Sequence, residues 1–257
     1  MRVVKLGGRA QNDAALPGAI HDAWKNANGN LCVVHGGGDE ISSLQVALGK
    51  TPSFVNGRRV TTADDIQLLR MVLSGVINKR LVSAFAKAGT KAVGLSGEDG
   101  ALISARRGKK GDGLFELGAV GAPEGVNVAL LEVLIANGYM PVISPVGSDA
   151  EPASTGALNV NGDDAAAAIA MSLRADELLF VADVPGVKNG DSIIDEVDLA
   201  QVGELVQKGI VSGGMTAKLD AARTALLGGV QRVRISDTGG IMDEARGTLV
   251  TLKREAR

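Results

Sequence analysis

Two glycine-rich turns, each placed at the end of a short apolar run, constrain this chain more than any other feature. Val3-Val4-Lys5-Leu6 leads into Gly7-Gly8, and Leu31-Cys32-Val33-Val34-His35 leads into Gly36-Gly37-Gly38. Glycine allows a sharp turn and lets bare N–H groups approach a ligand closely. A turn of this kind that opens into a helix is an anion site. Set at the carboxyl ends of neighbouring parallel strands, the two turns would share the crevice where open α/β sheets bind ligands. Lys5 adds a fixed positive charge to the first turn. The combination points to an enzyme that holds and transfers something strongly anionic.

The rest of the chain reads as the sheet those turns require. Apolar, β-branched runs recur at Val3–Leu6, Leu31–His35, Ala92–Leu95, Pro141–Val146, Leu178–Ala182 and Val233–Ile235. Between most of them lie segments with helical spacing, such as Ile66, Leu69, Val72, Leu73 and Val76, or Val128, Leu131, Leu134 and Ile135. Alternation of this kind predicts a mostly parallel central sheet covered on both faces, a three-layer α/β/α sandwich. Ser104–Gly121 breaks the pattern and reads as a hairpin whose basic tip, Arg106–Lys110, is a solvated turn, since no aromatic residues interleave it. Ser148–Ala157 reads as the connection between two lobes, residues 1–155 and 156–257.

Composition narrows the function. With a net charge of −2 and 2% aromatic residues, the chain has neither the field nor the stacking platforms for nucleic acid, so any phosphate binding is local. The single cysteine, Cys32, lies in an apolar run and reads as a small buried hydrophobe. His21 and His35 are too few for a zinc site, and a packing or hydrogen-bonding role suits His35 better than that of general base. No apolar run reaches spanning length and the first strand starts almost at once, so a cytoplasmic protein without a signal peptide is expected. There is no G-x-x-x-x-G-K-[ST], no protein-kinase signature, and Gly7-Gly8-Arg9-Ala10 has the wrong spacing for a dinucleotide turn.

Four further segments carry chemistry. Asn56-Gly57-Arg58-Arg59-Val60-Thr61 places two arginines on a turn ahead of a long helical stretch, Ala63–Ala88, and an arginine so held can grip a carboxylate with two parallel bonds. Leu158-Asn159-Val160-Asn161-Gly162-Asp163-Asp164 crowds four polar side chains onto a helix start where capping needs one. Phe180-Val181-Ala182-Asp183-Val184-Pro185-Gly186 is a strand ending in a tight turn. Gly213-Gly214-Met215-Thr216-Ala217-Lys218 leads into a helix read as Lys218–Leu227. A lysine at a helix N-terminus opposes the macrodipole, so an anionic partner would account for it. Lys5 and Lys218, from opposite ends of the chain, could then flank one phosphoryl group.

Taken in order, these segments resemble the amino acid kinase family across nearly the whole chain. The markers are Lys5–Gly8, His35–Gly38, Asn56–Thr61, Gly94-Leu95-Ser96-Gly97-Glu98-Asp99-Gly100, Asn159–Asp163, Asp183–Gly186 and Gly214–Lys218. Arg59-Val60-Thr61 favours an acylated glutamate among the family's substrates. The resemblance implies phosphoryl transfer from MgATP to the γ-carboxylate of N-acetyl-L-glutamate, a step in arginine synthesis. It further implies that Lys5 and Lys218 stabilise the transferring group, that Asp163 orients both, and that N–H groups around Gly7, Gly8, Gly36 and Gly37 cradle phosphate and carboxylate. Arg59 and Asn159 would clamp the α-carboxylate. The nucleotide would lie on Asp183, Val184, Pro185, Gly186, Val187 and Lys188 and on Ile210, Val211 and Ser212. Mg²⁺ would ride on the ATP phosphates, with no dedicated protein ligands.

Two positions depart from the family pattern: Arg58, where an apolar or small residue is usual, and Gly213, where an acidic or polar one is. A kinase for a carrier-protein-linked aminoadipate, and a catalytically silent sensor of the same fold, are the alternatives. Because Met1-Arg2-Val3 enters the first strand directly, the resemblance leads to a homodimer insensitive to arginine rather than a hexamer linked by an extra N-terminal helix, and an apolar helix such as the Ile66–Val76 stripe could pair the two subunits.

Overall fold

All six apolar runs form strands, and all six lie side by side in one sheet. The computed structural model describes residues 1–252 apart from Asn56, Lys110, Asp112, Pro152, Ala153 and Thr155, so the first residue of the 56–61 motif and parts of the 104–121 tip and the 148–157 connection lie outside the described residues. In chain order the first elements are β1 (Arg2–Leu6), α1 (Leu16–Asn26), β2 (Leu31–His35), α2 (Gly38–Ala47), β3 (Phe54–Val55), β4 (Arg58–Arg59), α3 (Ala63–Leu69) and α4 (Asn78–Lys87). Next come β5 (Ala92–Gly97), β6 (Ile103–Arg107), β7 (Val120–Val126), α5 (Val128–Ala136), β8 (Met140–Asp149), β9 (Ala157–Val160) and α6 (Gly162–Ser172). The chain continues through β10 (Glu177–Val181), β11 (Lys188–Asn189), β12 (Ser192–Ile193), β13 (Glu196–Asp198), α7 (Val202–Gln207), α8 (Gly214–Leu227), β14 (Arg232–Ser236) and β15 (Thr248–Thr251).

An 11-stranded sheet runs in the order β13-β15-β14-β10-β1-β2-β8-β6-β7-β9, with β5 also paired to β8. From β14 to β8 the neighbours are parallel, and the antiparallel pairs β14–β15, β6–β7 and β8–β9 lie toward the two edges. The register sets the site. Leu6 pairs with both His35 and Val181, so the turns that follow β1, β2 and β10 leave the sheet at one level. All three strands are buried almost end to end, the signature of a parallel sheet with helices on both faces. Ala165–Ala170, all buried, give α6 a smooth surface that lets it pack closely on β1 and α8.

The long helix expected over 63–88 is present, but Arg70–Ile77 is π-helical. Its wider i→i+5 turn shifts the phase of the apolar stripe by one residue. Ile66, Leu69, Val72 and Leu73 face the core as expected; Ile77, not Val76, completes the stripe, and Val76 is exposed. Four of the five stripe residues are thus spent on the chain's own core, and Val76 alone is left to offer a partner subunit. The 148–157 connection is also shorter than a linker: β8 and β9 pair as a hairpin, from Ser148–Ala157 to Val146–Asn159, so the strand leading to α6 packs with the first lobe.

Candidate active site

Asp163 joins the two ends of the chain. Asn161 caps α6 by accepting the N–H groups of Asp163 and Asp164, which turns Asp163 inward. Its carboxylate lies 2.7 Å from Lys5 Nζ on one side and 3.3 Å from Lys218 Nζ on the other. Lys5 and Asp163 are both about 95% buried (6% and 5% exposed). Gly162 makes room for this arrangement: a methyl group there would stand 3.3 Å from Lys5 Cε. Burial pushes the Asp163 carboxyl up, but the two ammoniums outweigh it and hold it below its ordinary value. Burial also draws the Lys5 ammonium down from its ordinary value, against the pull of Asp163 and with the help of Lys218. Two positive charges held out of water by one negative charge form a site that an anion would complete.

Two cavities flank this triad: Gly162, next to Asp163, lines the first, and Lys218 lines the second. The first, about 180 Å³, is lined by Gly36–Gly38, Arg58, Arg59, Asn159 and Asn161, together with Phe54 and Pro145. The second, about 500 Å³, is lined by Gly7, Gly8, Asp183, Val184, Gly214, Met215 and Lys218. Gly38, Phe54 and Gly57 belong to both. The glycine turns approach each other here, since a methyl group on Gly8 would lie 3.9 Å from the Gly38 nitrogen. Gly37 cannot carry a side chain without displacing Ile77 and Leu73 of the π-helical segment, whose methyl groups would fall 2.1 and 2.9 Å away. The start of α2 opens on the first cavity and that of α8 on the second, so each presents N–H donors of a helix N-terminus.

The two arginines separate clearly. Arg58 donates to Asp164 at 2.6 Å, an ion pair between β4 and α6. Arg59 is buried, stacks over the Phe54 ring at 4.6 Å, and donates to Gly38 O, Ser42 Oγ and Gln45 Oε1. Asn159 donates to Thr61 Oγ1 at 2.8 Å, which ties the end of β9 to the 58–61 segment.

Of the residues singled out in the sequence, Lys5, Gly7, Gly8, Gly36, Gly37, Arg59, Asn159, Asp163, Asp183, Val184 and Lys218 gather around the two cavities. Pro185–Lys188 and Ile210–Ser212 do not line them. Gly186 and Val187 turn away and pack against Ile193 and Thr248, and the Val187 N–H is taken up by Thr248 Oγ1. Lys188 stands exposed on the small β11–β12 hairpin. One expectation is corrected: α8 begins at Gly214, so Lys218 lies in its second turn, beyond the reach of the terminal dipole, and Asp163 rather than a dipole conflict explains its orientation. His35 is buried, bonded through Nε2 to Asn78 and through Nδ1 to Gly36 O, and desolvation draws it down to about 4. It is a neutral structural histidine. Cys32 is fully buried, its thiol pushed up to about 12 by the same cause.

Sequence reasoning missed Phe54, Gln45 and Asp65. Asp65 had a signal, the Thr62-x-x-Asp65 capping box that opens α3; Gln45 on α2 had none. Among the described residues no three His, Cys, Asp or Glu side chains cluster as a metal site, and no helix is long and apolar enough to cross a membrane.

Lys5, near the end of β1, and Lys218, in the second turn of α8, converge on Asp163 beside the two cavities. A model of the amino acid kinase family matches residues 1–237. The chain belongs to the amino acid kinase family. An acetylglutamate kinase from Methanopyrus kandleri is 40% identical over 256 residues, covering 97% of this chain and 100% of the relative. Among solved structures, smu.665 from Streptococcus mutans UA159 superposes with a TM-score of 0.84 at 28% identity, covering 98% of each chain. A carbamate kinase from Giardia, at 14% identity, has a TM-score of 0.67 over 98% of each chain and shares the amino acid kinase fold alone.

Proposed function

We propose that this amino acid kinase transfers the γ-phosphoryl group of ATP to the γ-carboxylate of N-acetyl-L-glutamate, the activating step toward arginine. The observation that carries the reading is the Lys5–Asp163–Lys218 triad at the junction of the two cavities. The similarity to acetylglutamate kinases at about 40% identity supports the choice of acceptor. In this reading residues 1–155, joined by Asn159 on β9, hold the amino acid, residues 156–257 together with the Gly7-Gly8 turn hold the nucleotide, and two copies associate.

A carboxylate is already ionised at neutral pH and needs no general base, which suits a site whose one histidine is neutral and buried. The difficulty is to bring two anions together. A γ-carboxylate oxygen attacks the γ-phosphorus in line, the new O–P bond forms as the β–γ bridging bond breaks, and ADP leaves with that bond's electron pair. Lys5, near the end of β1, stands on the acceptor side, and Lys218, on the wall of the larger cavity, stands on the nucleotide side. Charge accumulating on the transferring oxygens is met by the two ammoniums and by N–H groups of the Gly7-Gly8 and Gly36-Gly37 turns, donors already in place before reaction. Asp163 holds the lysines apart and aimed. Arg59 and Asn159 grip the α-carboxylate in the smaller cavity. The donor set of the larger cavity, Lys218 and glycines with two aspartates, Asp39 and Asp183, that both pair with Arg9, suits a phosphate chain that brings its own cation. Mg²⁺ would arrive on the nucleotide's phosphates and would supply neutralisation of their charge.

Hydroxamate trapping of the acyl phosphate with MgATP tests this, using N-acetylglutamate, glutamate, aspartate and N-acetyl-aminoadipate as acceptors. Turnover should be confined largely to N-acetylglutamate. Equal rates with glutamate or aspartate contradict the acceptor, and no turnover with any contradicts the kinase reading.

A further inference from the structure

Arg59 is fastened entirely by uncharged groups. Its guanidinium donates to Gly38 O at 2.7 Å, to Ser42 Oγ at 2.8 Å and to the Gln45 amide oxygen, and its face covers Phe54. Three of five donor hydrogens are thereby engaged without any carboxylate touching the group. The nearest acid, Asp65, is one side chain removed. Its Oδ1 accepts from Gln45 Nε2 at 3.2 Å and from Lys50 Nζ at 2.9 Å, and its Oδ2 from the Thr62 N–H and hydroxyl. Gln45 and Asp65 are both almost fully buried. Burial pushes the Asp65 carboxyl up, but the bonds from Thr62, Lys50 and Gln45 outweigh it, so the group stays ionised well below the ordinary range. An ionised carboxylate only accepts hydrogen bonds. The Gln45 amide must therefore turn its NH₂ to Asp65 and its oxygen to Arg59.

We propose that Gln45, oriented by Asp65, is a positioning residue that sets substrate selectivity by aiming Arg59 with a neutral acceptor, leaving its full charge for the carboxylate of an incoming anion. This rests on the assignment of Arg59 to the α-carboxylate of the acylated amino acid. A glutamate at position 45 would neutralise Arg59 directly and set a second carboxylate beside Asp65. The neutral amide avoids both and still fixes the guanidinium fork.

The test compares two acceptors in steady-state assays: N-acetylglutamate, and 4-acetamidobutanoate, which keeps the reacting carboxylate and lacks the α-carboxylate. Gln45→Glu should raise KM for N-acetylglutamate tenfold or more. It should leave KM for MgATP, and kcat/KM for 4-acetamidobutanoate, within about twofold. Gln45→Met, which keeps the volume and loses the acceptor, should give a smaller rise with the same selectivity and guards against a misfolded Glu variant. Asp65→Asn, which frees the amide to flip, should resemble Gln45→Met. If Gln45→Glu and Gln45→Met lower kcat/KM equally for both acceptors, Gln45 is merely structural and the proposal fails. Arg59→Lys is the reference. If it separates the two acceptors and the Gln45 variants do not, the relay is wrong while the clamp stands; if Arg59→Lys fails to separate them, the clamp itself is wrong and the relay falls with it.

Discussion

The two cavities on either side of the Lys5–Asp163–Lys218 triad are built in opposite ways. The wall of the smaller one, where Arg59 and Asn159 face the ligand space, is backed by buried polar side chains: Gln45 and Asp65 behind Arg59, Thr61 behind Asn159, and His35 with Asn78 behind the second glycine turn. The wall of the larger one is mostly backbone and exposed side chains, from Gly7 and Gly8 to Asp183 and Gly214, with Arg9 bridging Asp183 at 2.8 Å in open solvent. Buried networks fix a shape and are costly to disturb, whereas exposed ion pairs contribute little. The contrast suits the two ligands. A small acylated amino acid must be distinguished from near relatives, while a nucleotide brings its own charge and cation and needs mainly a cradle.

The comparison breaks first at the seam. Asp163→Asn leaves two buried ammoniums without their counter-charge and should cost about 3–5 kcal/mol of folding stability, the cost of breaking a buried pair. Urea unfolding that shows less than about 1 kcal/mol would mean that the triad is not a tight unit.

The smaller cavity's wall should also register pH. His35 falls from 6.5 to about 4 on folding, so between those values the unfolded chain binds a proton that the folded chain does not. Stability must then rise with pH across that window, and lowering pH from 6.5 to 4 should remove about 3 kcal/mol. His35→Gln should flatten this portion of the stability curve; an unchanged slope would place the titrating group elsewhere.

Next come the two arginines on that wall. Arg59→Lys loses the planar fork and should raise KM for N-acetylglutamate roughly tenfold, about 1.4 kcal/mol, with KM for ATP unchanged. Arg58→Lys keeps an ammonium for Asp164 and should shift KM less than about threefold, since the partly buried pair keeps both its charges and the substrate is gripped by Arg59. The reverse order would move the clamp by one residue. Smallest is Lys188→Ala on the exposed β11–β12 hairpin: KM for ATP should stay within about twofold, and a larger change would extend the nucleotide site beyond the cavity.

The same contrast separates what the sequence disclosed from what it hid. Lys5, Gly7-Gly8 and Gly36–Gly38 were legible because strand register delivers both turns to one level of the sheet, and a local pattern suffices to place them. The α6 start was legible as a surplus of polar residues around a cap. The π-helical phase shift was not, because Ser74-Gly75 marks a weak point without giving its phase, and packing of Leu73 and Ile77 beneath Gly37 is a tertiary contact. Gln45 was invisible for a like reason: its role comes from Arg59, 14 residues away, and Asp65, 20 residues away. Lys218 was found for the wrong local reason, a helix terminus four residues from where α8 begins, and owes its place to Asp163 instead.

Separating binding from transfer in Lys5→Ala and Lys218→Ala tests the central claim, that chemistry takes place at the seam between the cavities, most directly. Calorimetric titration would give the affinities for N-acetylglutamate and for a non-hydrolysable MgATP analogue, and rapid-quench single turnovers would give the transfer rate. Both variants should bind each ligand within a few-fold of the parent while transfer slows by roughly 10²–10³-fold, as expected for loss of one preorganised donor to the transition state. Transfer near the parent rate in either variant, or a loss accounted for by weakened binding alone, would contradict the account.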